Sequence, residues 1–335
     1  MSKRETGLDL IRCTAFLLVV VFHSFLYNGY YYEPQTGIDM WLWGSLRWLS
    51  VSCIGLFLML TGYLKSERTA LRDCYRGLSP VLLGYFLAAA VSIPVRHFFL
   101  GETHTMGWWV NAFFGFYGVH YGWYVEMYVG LTLLSPFLNR MLKGIPNTEL
   151  WRLASVMLLL TAIPGTIPLG IWPDYWRNCY PLTYYILGAI IKRMKPSVNP
   201  TLCILSALGV AAILGAGTVL STDGPLGEAL SWEFPDVWIV VIAVLLFIAL
   251  YRVKIGLMLG RVLSFAAGGC YGGYLLSHLL DAWCYGLVPE LRTPGAYPIA
   301  FLLVTIPIFL VSLLMGWGLN GIVQRLCAYR KEVRV

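Results

Sequence analysis

Charge is what this sequence has least of. Asp, Glu, Lys and Arg make up 12% of its 335 residues, about half the share found in a soluble domain. That scarcity argues against the two solvated domains the length alone would suggest. The eight cysteines (Cys13, Cys53, Cys74, Cys179, Cys203, Cys270, Cys284, Cys327) include no C-x-x-C pair. The scattered spacing reads as small core residues, not as a disulfide framework or a zinc site, and no metal is expected. No Gly-rich nucleotide loop occurs, so the chain is not expected to drive transport by itself. No basic, aromatic-interleaved soluble module occurs either, which removes nucleic acid as the reason for the net charge of +7. The first apolar run lacks a small-residue cleavage site after it, and reads as a retained helix.

What the chain has in abundance is apolar sequence, at 58% hydrophobic residues with a mean hydropathy of +0.69. A membrane-spanning helix needs about 20 mostly apolar residues. Ten stretches qualify, at about 8–28, 44–64, 79–99, 121–139, 153–170, 179–194, 201–220, 236–252, 262–285 and 297–323. No linker divides them. The expected fold is all-α, one polytopic membrane domain over 1–335, with only a short basic tail after the last segment.

Orientation follows from the cations. With the N-terminus in the cytoplasm, twenty of the 24 Lys and Arg residues fall inside. Only Arg47, Arg96, Arg177 and Arg292 fall outside. Both termini are then cytoplasmic, and the net positive charge is mostly a topology signal. The outer loops differ in kind. Residues 29–43 and 221–236 hold six carboxylates and no Lys or Arg, and aromatic residues crowd both, as they do 101–120. Such aromatics serve as an interfacial belt or as a stacking surface for sugars.

The segment RCTAFLLVVVFH (12–23) carries the chemistry. Ten residues separate Arg12 from His23. At ~100° per residue the two positions lie ~20° from eclipsed, so they share a face and stand ~16 Å apart along the axis. Asp9, three residues before Arg12, can pair with it. An ionisable residue inside a membrane helix is costly and faces a cavity or the bundle interior. Burial disfavours the imidazolium, and a neutral imidazole accepts a proton, as a general base must. The competing role is a structural histidine bonded across helices.

GLDLIRCTAFLLVVVFHS (7–24) resembles the opening of the acyltransferase 3 family, whose hallmark is an Arg, ten residues and a His. Three further blocks are similar to the family in order: GLFLMLTGYL (55–64), WYVEMYVGLTLLSPFLN (123–139) and GGCYGGYLLSHLL (268–280). The resemblance implies a bacterial enzyme of the cytoplasmic (inner) membrane. Its donor would be cytoplasmic acyl-CoA, usually acetyl-CoA, used as a substrate with no permanently bound cofactor. Its acceptor would be a hydroxyl of a cell-envelope glycan or a lipid-linked glycan. Arg12, with Arg72 and Arg76 of the second inside loop, stands where CoA phosphates would dock. His23 would then deprotonate the acceptor, or carry the acyl group itself.

Other polar positions have weaker warrants. Trp123 and Glu126 open the fourth segment, where Glu126 either orients His23, binds sugar or is an interfacial carboxylate. Tyr274 and His278 share a face of the ninth and line the site or bond across helices. His120 is expected at the interface, and His97 and His104 in loops. The alternative to an acyltransferase is a polysaccharide or small-molecule transporter, for which Pro and Gly around 164–170 are broken-helix signals. No inverted repeat supports it.

Overall fold

The computed structural model describes residues 6–166, 174–221 and 236–332. The end of the fifth predicted segment (167–170), most of the acidic outer loop (222–235) and the cations Lys3, Arg4 and Arg334 lie outside the described residues. Among the described residues the chain is helical and contains no strand. The helices are α1 (Thr6–Tyr27), α2 (Gly37–Val51), α3 (Cys53–Lys65), α4 (Leu71–Tyr75), α5 (Leu78–Phe98), α6 (Met106–Phe114), α7 (Trp123–Gly144) and α8 (Asn147–Thr161). There follow α9 (Ile163–Thr166), α10 (Tyr180–Met194), α11 (Pro200–Ser221), α12 (Val237–Leu250), α13 (Leu257–Leu287), α14 (Tyr297–Ala300) and α15 (Ile306–Glu332).

Within the described residues each of the ten predicted segments falls on a helix or a joined pair, the fifth as far as Thr166. Among the described residues five helical stretches are long and apolar enough to cross a membrane: Thr6–Tyr27, Gly37–Lys65, Leu71–Phe98, Pro200–Leu220 and Pro294–Tyr329. The shorter α12 is apolar throughout. At ~1.5 Å per residue, α8 and α10 reach ~22 Å, short of the ~30 Å hydrocarbon layer. The longer α7 and α13 are interrupted by polar residues, several of which face the site.

The second segment differs from expectation. It begins at Gly37 and turns at Ser52, where α2 gives way to α3. The Ser52 hydroxyl donates to the Leu49 carbonyl at 2.7 Å, and Ser50 does the same to Arg47. Such bonds compete with the helical ladder and bend it. In α7, Pro136 cannot donate to the carbonyl of Thr132. The Ser135 hydroxyl fills that place at 2.8 Å, so the helix continues through the proline.

The first helix is central. Of its most apolar stretch 67% is buried inside the protein, against 22% for α11. It packs on α13, α3 and α2, while α13 packs on α15, and α3 on α10. Small residues bring these pairs close, as in membrane bundles generally. A Cβ at Gly62 would run into the Tyr185 carbonyl oxygen, and one at Gly188 into that of Met59. Alanine at 188 would gain about 1 kcal/mol in helix propensity. The clash is with backbone, which cannot swing aside, and overpacking costs about 1–3 kcal/mol. Gly188→Ala is therefore expected to lower the melting temperature of the solubilised protein. A rise would show that α3 and α10 are not in this contact.

Candidate active site

A cavity of about 290 Å³ opens between α1, α3, α7 and α13. From α1 it takes Arg12, Val19, Phe22 and His23, the shared face expected from their spacing. From α3 it takes a stripe ending at Lys65, and from α7 and α13 it takes Trp123, Tyr124, Tyr128 and Tyr274. The helix directions set its ends. Cys13 and Cys270 touch, with sulfurs 4.0 Å apart, and His23 faces Asp281. α1 and α13 thus run parallel, with Arg12 at one end of the cavity and His23 toward the other.

At the Arg12 end, Nη1 donates to Asp9 Oδ1 at 2.7 Å. The Asp9 side chain is 2% exposed and that of Arg12 31%. The pair is the i, i+3 bridge anticipated from sequence. The carboxylate holds one edge of the guanidinium, which still lines the cavity.

At the other end, the His23 imidazole stacks on the Tyr121 ring, with centroids 3.7 Å apart and planes 21° from parallel. Tyr121 Oη donates to Asp281 Oδ2 at 2.9 Å. His23 Nδ1 lies 3.8 Å from the same oxygen. That exceeds a hydrogen bond. His23 Nδ1 and Asp281 Oδ1 have no hydrogen-bond partner among the described residues. Tyr274 Oη donates to the Tyr121 carbonyl. Tyr274 therefore fixes Tyr121, which in turn contacts both His23 and Asp281.

The sequence reading missed Tyr121 and Asp281. The signal for Asp281 was a lone carboxylate in SHLLDAW, within an apolar run. Of the other anticipated residues, Trp123 and Tyr274 line the cavity. His278 is buried behind it, with Nδ1 donating to the Leu275 carbonyl at 3.0 Å and the ring 5.7 Å from that of Tyr121. Glu126 is exposed and outside the cavity wall. The carboxylate beside His23 comes from α13 instead. Arg72 on α4 and Arg76 after it are also exposed and outside the wall. The cation that joins Arg12 in lining the cavity is Lys65.

A second polar cluster braces this end. Arg96 grips Glu102 through Nε and Nη2 at 3.0 and 2.7 Å and donates through Nη1 to the carbonyls of Tyr117 and Gly118. Glu102 also meets His120 Nε2 at 3.1 Å, and its carbonyl accepts from His97 Nδ1 at 2.9 Å. His97, in the last turn of α5 and not in a loop as expected, and His120, just before Tyr121, thus both hold the loop that carries Glu102. Burial pushes the Glu102 carboxyl up, but its bonds to Arg96 and His120 outweigh it and hold it below the ordinary value. Burial and then Arg96 hold His120 below its ordinary value, against the pull of Glu102.

The arrangement sets a buried imidazole beside a carboxylate at one end of a mostly apolar cavity, with a guanidinium at the other. No curated protein and no solved structure matches the chain. A family model described as an acyltransferase domain matches residues 5–317. With nearly its whole length inside that match, the chain belongs to the acyltransferase 3 family.

Proposed function

We propose that this membrane acyltransferase takes an acetyl group from cytoplasmic acetyl-CoA and places it on a hydroxyl of a cell-envelope glycan or its lipid-linked precursor. The observation that carries the reading is one cavity with Arg12 at one end and His23 at the other. Arg12 binds phosphate charge where the donor enters. The cavity walls are mostly apolar and suit the pantetheine arm. His23 meets the thioester where the acceptor arrives. The acidic outer loops disfavour a dicarboxylic acyl group and favour acetyl over succinyl.

The step needs no further reagent. The His23 nitrogen remote from Asp281 takes the acceptor's hydroxyl proton as the oxygen attacks the thioester carbonyl. The carbon–sulfur bond then breaks, and the departing thiolate takes the proton from the imidazolium. The products are an ester and CoA with a free thiol. Tyr121 and Asp281 hold the ring in place, and a carboxylate at Nδ1 favours the imidazolium that forms. Ten spans, cytoplasmic termini and the bacterial inner membrane complete the reading, and the uneven distribution of cations supports them.

The test uses the full chain in nanodiscs with labelled acetyl-CoA and an extract of envelope glycans. Saturable binding of acetyl-CoA and CoA release that depends on the extract are expected. An absence of binding with the extract present would sink the acyl-CoA reading. Uptake of labelled glycan into vesicles without acyl-CoA would put a transporter in its place.

A further inference from the structure

Lys65 is the last residue of α3. A lysine there favours the negative end of the helix dipole and ordinarily stretches out to water. This one turns inward. A helical side chain leans toward the helix N-terminus, and for Lys65 that direction leads back into the cavity it lines. Its backbone carbonyl accepts from Asn139 Nδ2 at 2.9 Å. Its Nζ donates to Tyr128 Oη at 2.7 Å and Thr132 Oγ1 at 3.2 Å, both earlier on α7. The ammonium also lies 4.5 Å from the centre of the Tyr128 ring. The residue is 9% exposed.

Every one of these partners is neutral. Among the described residues no carboxylate lies within ion-pair distance of Lys65. An ammonium has three N–H donors, and two are engaged. Among the described residues the cavity wall contains Arg12 and Lys65 and no Asp or Glu. Positive charge in an apolar, membrane-embedded hole is costly unless something offsets it, and such residues mark ligand sites.

Position narrows the ligand. Tyr128 and Thr132, which hold the ammonium, lie five and nine residues beyond Trp123, where α7 begins just after Tyr121, or ~8 and ~14 Å along the helix axis. Arg12 is ~16 Å from His23 on the same measure. The ammonium therefore stands toward the Arg12 end of the cavity, short of His23, and at 9% exposure against 31% for the Arg12 side chain it is the more deeply set of the two cations. We propose that Lys65 is the inner phosphate-binding residue of the donor site, holding the phosphate ester that heads the pantetheine arm, with Arg12 meeting phosphate charge nearer the mouth. The inference rests on the acyl-CoA reading and assigns that donor a contact that neither spacing nor loop charge indicated. A compact ammonium on a flexible stem suits a single phosphate, and Tyr128 and Thr132 aim it.

The experiment measures dissociation constants of CoA, 4′-phosphopantetheine and pantetheine for the full chain in nanodiscs, comparing wild type with Lys65→Met, Lys65→Arg and Tyr128→Phe. Lys65→Met is expected to weaken CoA and 4′-phosphopantetheine about tenfold or more, the usual scale of a charged hydrogen bond. Pantetheine should bind the two proteins alike. Lys65→Arg should recover most of the loss. Tyr128→Phe, which keeps the charge and the ring, should lose about threefold on the phosphorylated ligands only. Unchanged CoA binding by a folded Lys65→Met protein overturns the proposal and leaves the acyl-CoA reading standing. Equal losses for all three ligands also overturn it, since they mark a lysine that only shapes the cavity. No CoA binding by wild type removes the donor reading itself.

Discussion

His23→Ala is expected to stop acyl transfer while leaving the donor bound. Removing a positioned general base costs about 10²–10⁴-fold in rate. The affinity for acetyl-CoA should stay within about threefold, because His23 lies at the far end of the cavity from Arg12 and makes no phosphate contact. Arg12→Ala should do the reverse. It removes a charge-assisted donor worth about 1.5–3 kcal/mol, so donor affinity falls about tenfold or more while saturating donor restores much of the rate. Equilibrium binding and acceptor-dependent CoA release, measured on each variant, separate the two. The alternative role for His23 is structural, a ring packed against Tyr121. A structural histidine predicts a lowered melting temperature and loss of binding and turnover together. Transfer at the wild-type rate by His23→Ala would remove it from the chemistry altogether.

The common face of Arg12 and His23 was legible because it depends on one helix alone. Eleven residues at a fixed angular step decide it, whatever surrounds the helix. The Asp9–Arg12 bridge was legible for the same reason. Asp281 was not, because the distance from residue 23 to residue 281 is set by how α1 and α13 pack, and no local period encodes that. Tyr121 falls in the short stretch before α7, where periodicity carries no information. Lys65 was not singled out for a related reason. By counting it belongs to a basic inside loop, and only the direction of its side chain places it in the cavity. Glu126 was the converse case: a carboxylate near the start of the right helix, yet turned to its exposed face. The helices themselves were legible from apolar runs, but the turn at Ser52 was not, since two serine hydroxyls bonded to carbonyls leave no mark on hydropathy. The polar residues that make α7 and α13 poor spans by composition are partly those that build the site.

Asp281→Asn is expected to lower the rate of CoA release about a hundredfold, the scale on which a slightly misplaced catalytic group costs activity. At 1.36 kcal/mol per decade that is about 2.7 kcal/mol in the transition state. The size of the replacement is nearly unchanged, so packing is preserved. What is lost is the negative charge facing His23 Nδ1 and the acceptor that holds the Tyr121 hydroxyl. Donor affinity should not move, because Asp281 is buried behind the ring and is no part of the cavity wall. The effect is therefore on turnover alone. Tyr121→Phe keeps the stack on His23 but deletes the 2.9 Å bond to Asp281, and should cost less. If Tyr121 acts through the carboxylate, the double variant should be no slower than Asp281→Asn, since residues sharing one network do not add. Strict additivity would mean that Tyr121 serves His23 only through stacking. A full-speed Asp281→Asn protein would mean that the carboxylate never closes the 3.8 Å to His23, and that the imidazole is oriented by Tyr121 alone.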